Sequence, residues 1–206
     1  MVKEGYGYGL PLLLTAAGLL SLHLYLLGAV FLVLAALVLN FFRDPDRVVP
    51  QTPGVIVSPA DGKIVQVLDE THEGQPVRRL SIFMSPLDVH VNRSPIAGVI
   101  ESVSYRKGTF GIAIRDEAST QNEQNVFTLA GEQGKVIVKQ VAGVVARRIV
   151  FWKRVGDRLA RGERVGLIKF GSRVDVLFEP GTQLRVKVGD RVRAGSTILG
   201  TTEPSS

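Results

Sequence analysis

The chain has no cysteine, which excludes disulfides and thiolate metal centres and removes any argument for an oxidising compartment. Histidine is scarce as well: His23, His72 and His90 are the three in 206 residues, and they lie too far apart in sequence to suggest an imidazole-held metal. Aromatic residues make up 7% and are not interleaved with the basic ones, so a nucleic-acid surface is not indicated. Formal charge is absent from Leu10 to Leu39, and helical periodicity is absent beyond Gly54.

What is present begins with that uncharged run, rich in Leu, Ala and Val and interrupted by Gly18, Ser21, His23 and Gly28. It exceeds the roughly 20 residues that cross a bilayer once. The sequence therefore predicts a membrane segment, either one tilted span or two shorter helices breaking near Ser21 to His23. A secretory signal would carry an apolar core of only about 7–15 residues and then a small-residue cleavage site. Here Asn40-Phe41-Phe42-Arg43 follows instead, aromatics and a cation placed as an interfacial anchor. Before residue 43 the only formal charges are Lys3 and Glu4, so the net charge of +6 belongs to the rest of the chain. A basic body behind an apolar N-terminus suits an anionic membrane surface.

This divides the chain into a hydrophobic anchor over 1–42, a Pro-punctuated linker over 43–53, and a β-rich domain over 54–206. Short apolar runs bounded by Gly, Pro and Asp fill that domain: Val55 to Val57, Lys63 to Leu68, Arg79 to Phe83, Val99 to Tyr105, Val126 to Leu129, Lys135 to Val141, Arg148 to Trp152, Val165 to Lys169, Val174 to Phe178 and Gln183 to Val188. Their spacing predicts an all-β sandwich or barrel, with one helical turn around Ala142 to Arg147. Val155-Gly156-Asp157-Arg158-Leu159-Ala160-Arg161-Gly162 recurs as Val188-Gly189-Asp190-Arg191-Val192-Arg193-Ala194-Gly195. Gly-Asp at a tight turn with a second Gly beyond it is hairpin chemistry. The repeat resembles the hairpins of lipoyl and biotinyl carrier domains and other barrel-sandwich hybrids. Pro59-Ala60-Asp61-Gly62-Lys63-Ile64 and Pro95-Ile96-Ala97-Gly98-Val99-Ile100 look like further pieces of it. The two copies bracket Gly171-Ser172, which they would hold in a strand pair between rigid turns.

Gly171-Ser172 is the first candidate for chemistry. Serine can attack the carbonyl before it, and glycine presents that carbonyl unhindered on a permissive backbone. The second is Ser85 to Pro95, where an extended segment would place Asp88, His90 and Asn92 on one face. His90 could then move a proton while a carboxylate fixes its tautomer, although a lone His beside an Asp is also a common structural pair. Asp61, before Gly62, has an ordinary turn reading too. His72 reads as a solvated turn residue, and His23 lies in the membrane stretch.

Several motifs occur in one order: Phe41-Phe42-Arg43-Asp44-Pro45, Ser58-Pro59-Ala60-Asp61-Gly62, Phe83-Met84-Ser85-Pro86-Leu87-Asp88-Val89-His90-Val91-Asn92-Arg93, Asn122-Glu123-Gln124-Asn125, Ala146-Arg147-Arg148-Ile149 and Phe170-Gly171-Ser172-Arg173-Val174-Asp175. In that order they resemble the short form of the phosphatidylserine decarboxylase proenzymes, from about residue 40 to about residue 202.

The resemblance implies a self-processing enzyme whose Ser172 hydroxyl attacks the Gly171 carbonyl, shifting the peptide to an ester that then eliminates. The products would be a β chain, 1–171, and an α chain, 172–206, whose first residue becomes a pyruvoyl group. That covalent group would be the cofactor and electron sink, with neither a metal nor pyridoxal phosphate. The family's Asp-His-Ser set maps onto Asp61, His90 and Ser172, with His90 as base and first choice as proton donor after carbon dioxide leaves. Longer relatives carry a second His where this chain has Arg93, which cannot act as an acid but could bind a carboxylate or phosphate. Arg93 and Asn92 are thus the expected substrate contacts.

The substrate would be phosphatidylserine, or a serine phospholipid on another backbone such as archaetidylserine. The partners would be the membrane and the chain's own two fragments, with a higher homo-oligomer left open and no nucleic acid. The expected location is the cell membrane, with the catalytic domain on the cytoplasmic face. A second Gly-Ser bond, Gly195-Ser196, is assigned to the repeat, because Gly195 coincides with Gly162. The rival reading, a non-catalytic membrane-anchored adaptor built on lipoyl-like hairpins, leaves the Ser-Pro-Leu-Asp-Val-His and Phe-Gly-Ser-Arg motifs unexplained. A carrier would need a lysine at a hairpin tip, where Asp157-Arg158 and Asp190-Arg191 stand.

Overall fold

The computed structural model describes residues 1–108, 122–132, 134–143, 148–169 and 172–202. They form two compact units, Met1–Asp46 and Arg47–Ser206. In the first, helices α1 (Lys3–Ser21) and α2 (Tyr25–Phe41) form a hairpin. Of the two alternatives read from the sequence, the structure has two helices with the break near Ser21 to His23: His23 is left-handed at φ 60°, and the amides of Leu22, His23 and Leu24 fold back on Gly18, Leu20 and Leu19. Small residues pack between the helices. A Cβ on Gly9 would come within 2.5 Å of Leu39, and one on Gly28 within 2.6 Å of Leu20. Large apolar side chains such as Leu14, Leu26 and Val33 face outward. Among the described residues no helix is long and apolar enough to cross a membrane.

The second unit is built of strands. They are β1 (Val55–Val57), β2 (Gly62–His72), β3 (Gln75–Met84), β4 (Val91–Arg93), β5 (Gly98–Arg106), β6 (Gln124–Gly131) and β7 (Gly134–Ala142), then β8 (Ile149–Phe151), β9 (Arg158–Leu159), β10 (Arg164–Ile168), β11 (Ser172–Phe178), β12 (Gln183–Leu184), β13 (Arg191–Val192) and β14 (Ile198–Thr201). The largest sheet has eight strands in the order β13-β2-β3-β11-β7-β6-β5-β9 and curls as a half-barrel. Two three-stranded sheets, β1-β14-β12 and β4-β10-β8, complete the unit. The protein is therefore mainly β, and every apolar run read from the sequence contains a strand. Of the helical turn expected around Ala142 to Arg147, Ala142 ends β7 and residues 144–147 lie outside the described part.

The strand orders reveal two copies of one arrangement. β1, β2, β3, β11, β12, β13 and β14 match β4, β5, β6, β7, β8, β9 and β10 in their pairing. Bonds repeat accordingly: the Ile64 amide donates to Asp190 as Ile100 donates to Asp157, and Gly195 donates to Ser58 as Gly162 does to Ser94. At the junction Val57 donates to Pro95 and Arg93 to Pro59, both at 2.9 Å, the exchange expected across a two-fold axis. Gly162 (φ 76°) and Gly195 (φ 73°) hold the same left-handed corner, which a side chain would strain.

The second copy is inserted within the first. A tight turn joins β6 to β7, with Gly131 paired to Gly134. At the equivalent end of the first copy Met84 pairs with Ser172, and the whole of β4 to β10 lies between them. The sequence repeat does form a hairpin connection in each copy, but a wide one. β8 pairs with β10 and β12 with β14, while the residues after each Gly-Asp turn dock on opposite edges of the large sheet, β9 on β5 and β13 on β2. The repeats thus do not clamp Ser172 between them as the sequence suggested. β11 is a central strand, and the repeats form the sheet's outer edges.

Candidate active site

Ser172 opens β11 at the point where the chain passes from the β4-β10-β8 sheet into the eight-stranded one. Phe170 and Gly171 lie outside the described residues. Ser172 is fully buried, paired with Met84 on one side and Ala142 on the other. Its Oγ donates to Met84 Sδ at 3.4 Å. A thioether is a weak acceptor, so the hydroxyl sits in a dry, weakly bonded setting. Val174 and Val176 follow on the same face and run into the apolar core with Ile82, Leu80 and Phe127.

His90 lies at the end of a tight loop after β3. The Ser85 amide donates to Asp88 Oδ2 at 2.8 Å, the Asp88 amide returns to the Ser85 carbonyl at 2.9 Å, and Arg191 donates to Asp88 Oδ1 at 3.1 Å. The Asp88 carboxylate is thereby occupied in shaping the loop. The imidazole takes its bearing from the backbone instead: His90 Nδ1 is 2.9 Å from the Asp88 carbonyl. A carbonyl only accepts, so Nδ1 carries the hydrogen and the neutral ring keeps Nε2 as its basic nitrogen. This corrects the expectation that a neighbouring carboxylate fixes the tautomer. His90 is buried, and its carbonyl accepts from the Ile168 amide at 3.4 Å. Its backbone is thus tied to the strand that leads into Ser172.

The other expected residues fall in separate places. Asp61 accepts from Arg47 through both oxygens at 2.9 Å and from the Ala194 amide at 2.8 Å. Arg93, on β4, is buried and donates to the Gly162 carbonyl at 3.0 Å, inside the first repeat. Asn92 is brought close to Ser172: its Nδ2 lies 3.8 Å from Met84 Sδ, the sulfur that receives the Ser172 hydroxyl. Behind it Gln140 Nε2 donates to Asn92 Oδ1 at 2.8 Å, and Asn125 Nδ2 donates to Gln140 Oε1 at 2.9 Å. Nearby, the Ala142 amide donates to the Glu123 carbonyl at 2.9 Å. The Tyr105 hydroxyl donates to the Glu123 carboxylate. Partial burial and then that bond push the Tyr105 phenol up from 10.0 to about 12.

Sequence reasoning assigned no part to Met84, Gln140 or Arg47. Gln140 left a trace, an uncharged polar residue inside the short apolar run Lys135 to Val141. Met84 and Arg47 left none, since nothing in the sequence says what an apolar strand end or a linker cation will touch. On the opposite face of β11, Arg173 and Asp175 pair at 2.9 Å while Arg79 lies 3.7 Å from Asp175 and 2.9 Å from Glu70. Among the described residues no group of His, Asp or Glu side chains could hold a metal ion.

A fully buried serine opening a central strand and a buried histidine whose tautomer is fixed by a backbone carbonyl are the groups that a proton-assisted attack on the preceding peptide needs. The family model for phosphatidylserine decarboxylase matches residues 34–200, which include all of these groups. The chain belongs to the phosphatidylserine decarboxylase family. A phosphatidylserine decarboxylase proenzyme of Solibacter usitatus is 54% identical over 203 residues, covering 97% of this chain and 95% of that protein. Proenzymes of the same name from Salinibacter ruber and Desulfotalea psychrophila are 49% and 47% identical, covering 80% and 85% of this chain and 75% and 84% of their own length. A decarboxylase of this family at these identities accounts for both the motif order and the burial of Ser172.

Proposed function

We propose that the chain is a proenzyme that cuts itself between Gly171 and Ser172 and, once cut, decarboxylates phosphatidylserine to phosphatidylethanolamine. The observation that carries the cut is that Ser172 and His90 are both buried, with His90 Nδ1 committed to the Asp88 carbonyl and its own carbonyl bonded to Ile168 on the strand before Ser172. His90 Nε2 takes the Ser172 proton as Oγ bonds to the Gly171 carbonyl carbon, and the peptide C–N bond breaks to leave an ester and an amine. Loss of the residue-172 α-proton expels the Gly171 carboxylate from the β-carbon. Water then replaces the nitrogen, which leaves as ammonia, and the α chain begins with a ketone. Asp61 is carried over from the family likeness as the carboxylate of the set; in the proenzyme Arg47 and Ala194 hold it.

Residue 172 suits the resulting pyruvoyl group. The position is dry, lined by a thioether and the small Ala142, and needs no more room than serine occupies. When formed, the group supplies an electron sink for the departing carboxylate. His90 donates the proton that replaces carbon dioxide, and Asn92 and Arg93 are the candidate contacts for the substrate's polar head.

The helical hairpin seats the enzyme at the cell membrane. Its large apolar side chains face outward and its small residues pack inward, and both of its ends emerge on one side. The basic unit then faces the anionic cytoplasmic leaflet. Intact mass of the purified protein tests the reading. Two chains parted between Gly171 and Ser172, the shorter lacking a free amine and reacting with carbonyl reagents, are expected. A single chain that stays whole on prolonged incubation while correctly folded overturns it.

A further inference from the structure

Three side-chain amides are buried near Ser172, Gln140 and Asn125 on the same face of its sheet and Asn92 on β4 of the β4-β10-β8 sheet. Asn92 and Gln140 are fully buried and Asn125 is 2% exposed. Gln140 stands opposite Val174 and Asn125 opposite Gln140 in the register. Three primary amides in an apolar core are costly unless paired, and here their pairing has a direction. Asn125 Nδ2 donates to Gln140 Oε1 at 2.9 Å, so Gln140 must present its nitrogen to Asn92, which it does at 2.8 Å. Asn92 is therefore met at its oxygen, and its NH2 group is the end turned toward Met84 Sδ and the Ser172 hydroxyl. Reversing any one amide would set two donors or two acceptors against each other, so the three turn together or not at all.

We propose that Gln140 and Asn125 are positioning residues that hold the Asn92 NH2 group toward Ser172 as a donor for oxygen that gains negative charge during the cut. The inference rests on self-cleavage at Ser172 and names what steadies it. Met84 Sδ, 3.8 Å from Asn92 Nδ2, is a weak acceptor, so that donor can be given up to an oxyanion at little loss. The donor is oriented before the reaction, by two residues that never touch the bond being broken.

Gln140→Glu tests the direction of the chain. While protonated, the introduced carboxyl copies the amide it replaces, accepting from Asn125 and donating to Asn92 Oδ1. Ionised, it can only accept, so Asn92 must turn its NH2 away from Ser172. Asn125→Asp sends the same reversal from one link further back. Each precursor is made by cell-free synthesis, and the cut is followed by intact mass across a pH series, with each rate divided by that of the wild type at the same pH. Both ratios should fall as pH rises, on the order of a hundredfold once the new carboxyl is ionised, as for loss of one oriented donor. Gln140→Leu should be slow by a pH-independent factor.

Wild-type cutting with a flat ratio near one for both acidic variants would overturn the inference and leave the cut itself standing. A wild-type chain that never cuts would instead overturn the proenzyme reading. Should Gln140→Glu fail to fold by circular dichroism, Asn125→Asp decides alone, because its side chain lies two amides away from Met84.

Discussion

The Ser172 hydroxyl rests on the sulfur of Met84, Oγ to Sδ at 3.4 Å, across the pair that closes β3 against β11. The contact makes Met84 part of the nucleophile's surroundings, although it has no acid-base chemistry of its own. Met84→Leu conserves volume and should cost under about 1.5 kcal/mol, with the cut retained at a reduced rate. Met84→Ala opens a cavity against Ser172 and should cost about 2–5 kcal/mol. Thermal melting and intact mass of both variants check this, and equal rates in the two would remove Met84 from the site.

The family likeness assigns Asp61 to the cut, and the structure gives its carboxylate to Arg47 and Ala194. Asp61→Asn keeps an acceptor for Ala194 but ends the ion pair. Arg47→Met ends the ion pair and keeps the carboxylate. We expect the cut to stop in the first and persist in the second. Equal loss in both would mean that Asp61 serves only to hold Arg47.

Gly195-Ser196 is an architectural corner. Gly195 is left-handed, its amide bonds to Ser58, and Ser196 bonds back to Arg193. Ser196→Ala should give the same two chains as the wild type. Gly195→Ala should cost about 1–2 kcal/mol, because a Cβ there meets Arg93 at 3.0 Å on a strained backbone. A shift of the cleavage point in Ser196→Ala would overturn the assignment of Ser172.

With the proposed cut, Asp175 falls in the α chain and Arg79 in the β chain, so the Arg79–Asp175 pair at 3.7 Å crosses it, while Arg79 is also held by Glu70 on its own side. The fragments should co-purify without denaturant. Asp175→Ala strips Arg173 of its buried partner and should cost about 3–5 kcal/mol, lowering Tm by about 10 °C. An α fragment lost on simple gel filtration of the wild type would contradict this.

Tyr105 offers a pH test away from the nucleophile. Its pKa is raised, by partial burial and then by the bond to Glu123, from 10.0 to about 12. A raised tyrosine stabilises the fold fully below its ordinary value and ceases to do so as pH climbs through the raised one. The phenolate difference spectrum between wild type and Tyr105→Phe should therefore show its step near pH 12, and the advantage of the wild type in Tm should shrink between about 10 and 12. A step near 10 would show that Glu123 does not hold the hydroxyl in solution.

Much of this was readable from residue order. Short apolar runs such as Lys135 to Val141, bounded by turn residues, located strands, and the polar interruption from Ser21 to His23 offered the helical break as one of two alternatives. The repeat was visible as Gly-Asp, yet the partners of its strands were not. β9 and β13 are two residues each, too short to carry a pattern, and they pair with strands remote in sequence. The insertion of one copy into the other was hidden for the same reason. At the proposed site, residue types singled out Ser172 and His90 as candidates, but a histidine's tautomer depends on which oxygen the fold delivers. The Asp88 carbonyl, an atom that every residue has, could not be singled out beforehand. Gln140 was legible as an anomaly, though its direction was not.

The insertion of β4 to β10 between Met84 and Ser172 has a consequence for the life of the molecule. Before the cut, the central strand β11 is joined covalently to everything it pairs with, and the proenzyme folds as a single body. With the proposed cut made, it would belong to a separate short chain that also supplies β12, β13 and β14. Unfolding then becomes dissociation, and refolding becomes a second-order encounter whose yield depends on concentration. The precursor should thus recover from denaturant at any dilution and the mature enzyme should not. Ageing of this protein would then be written into its topology: each copy can refold unimolecularly only until the proposed cut, and activation ends that.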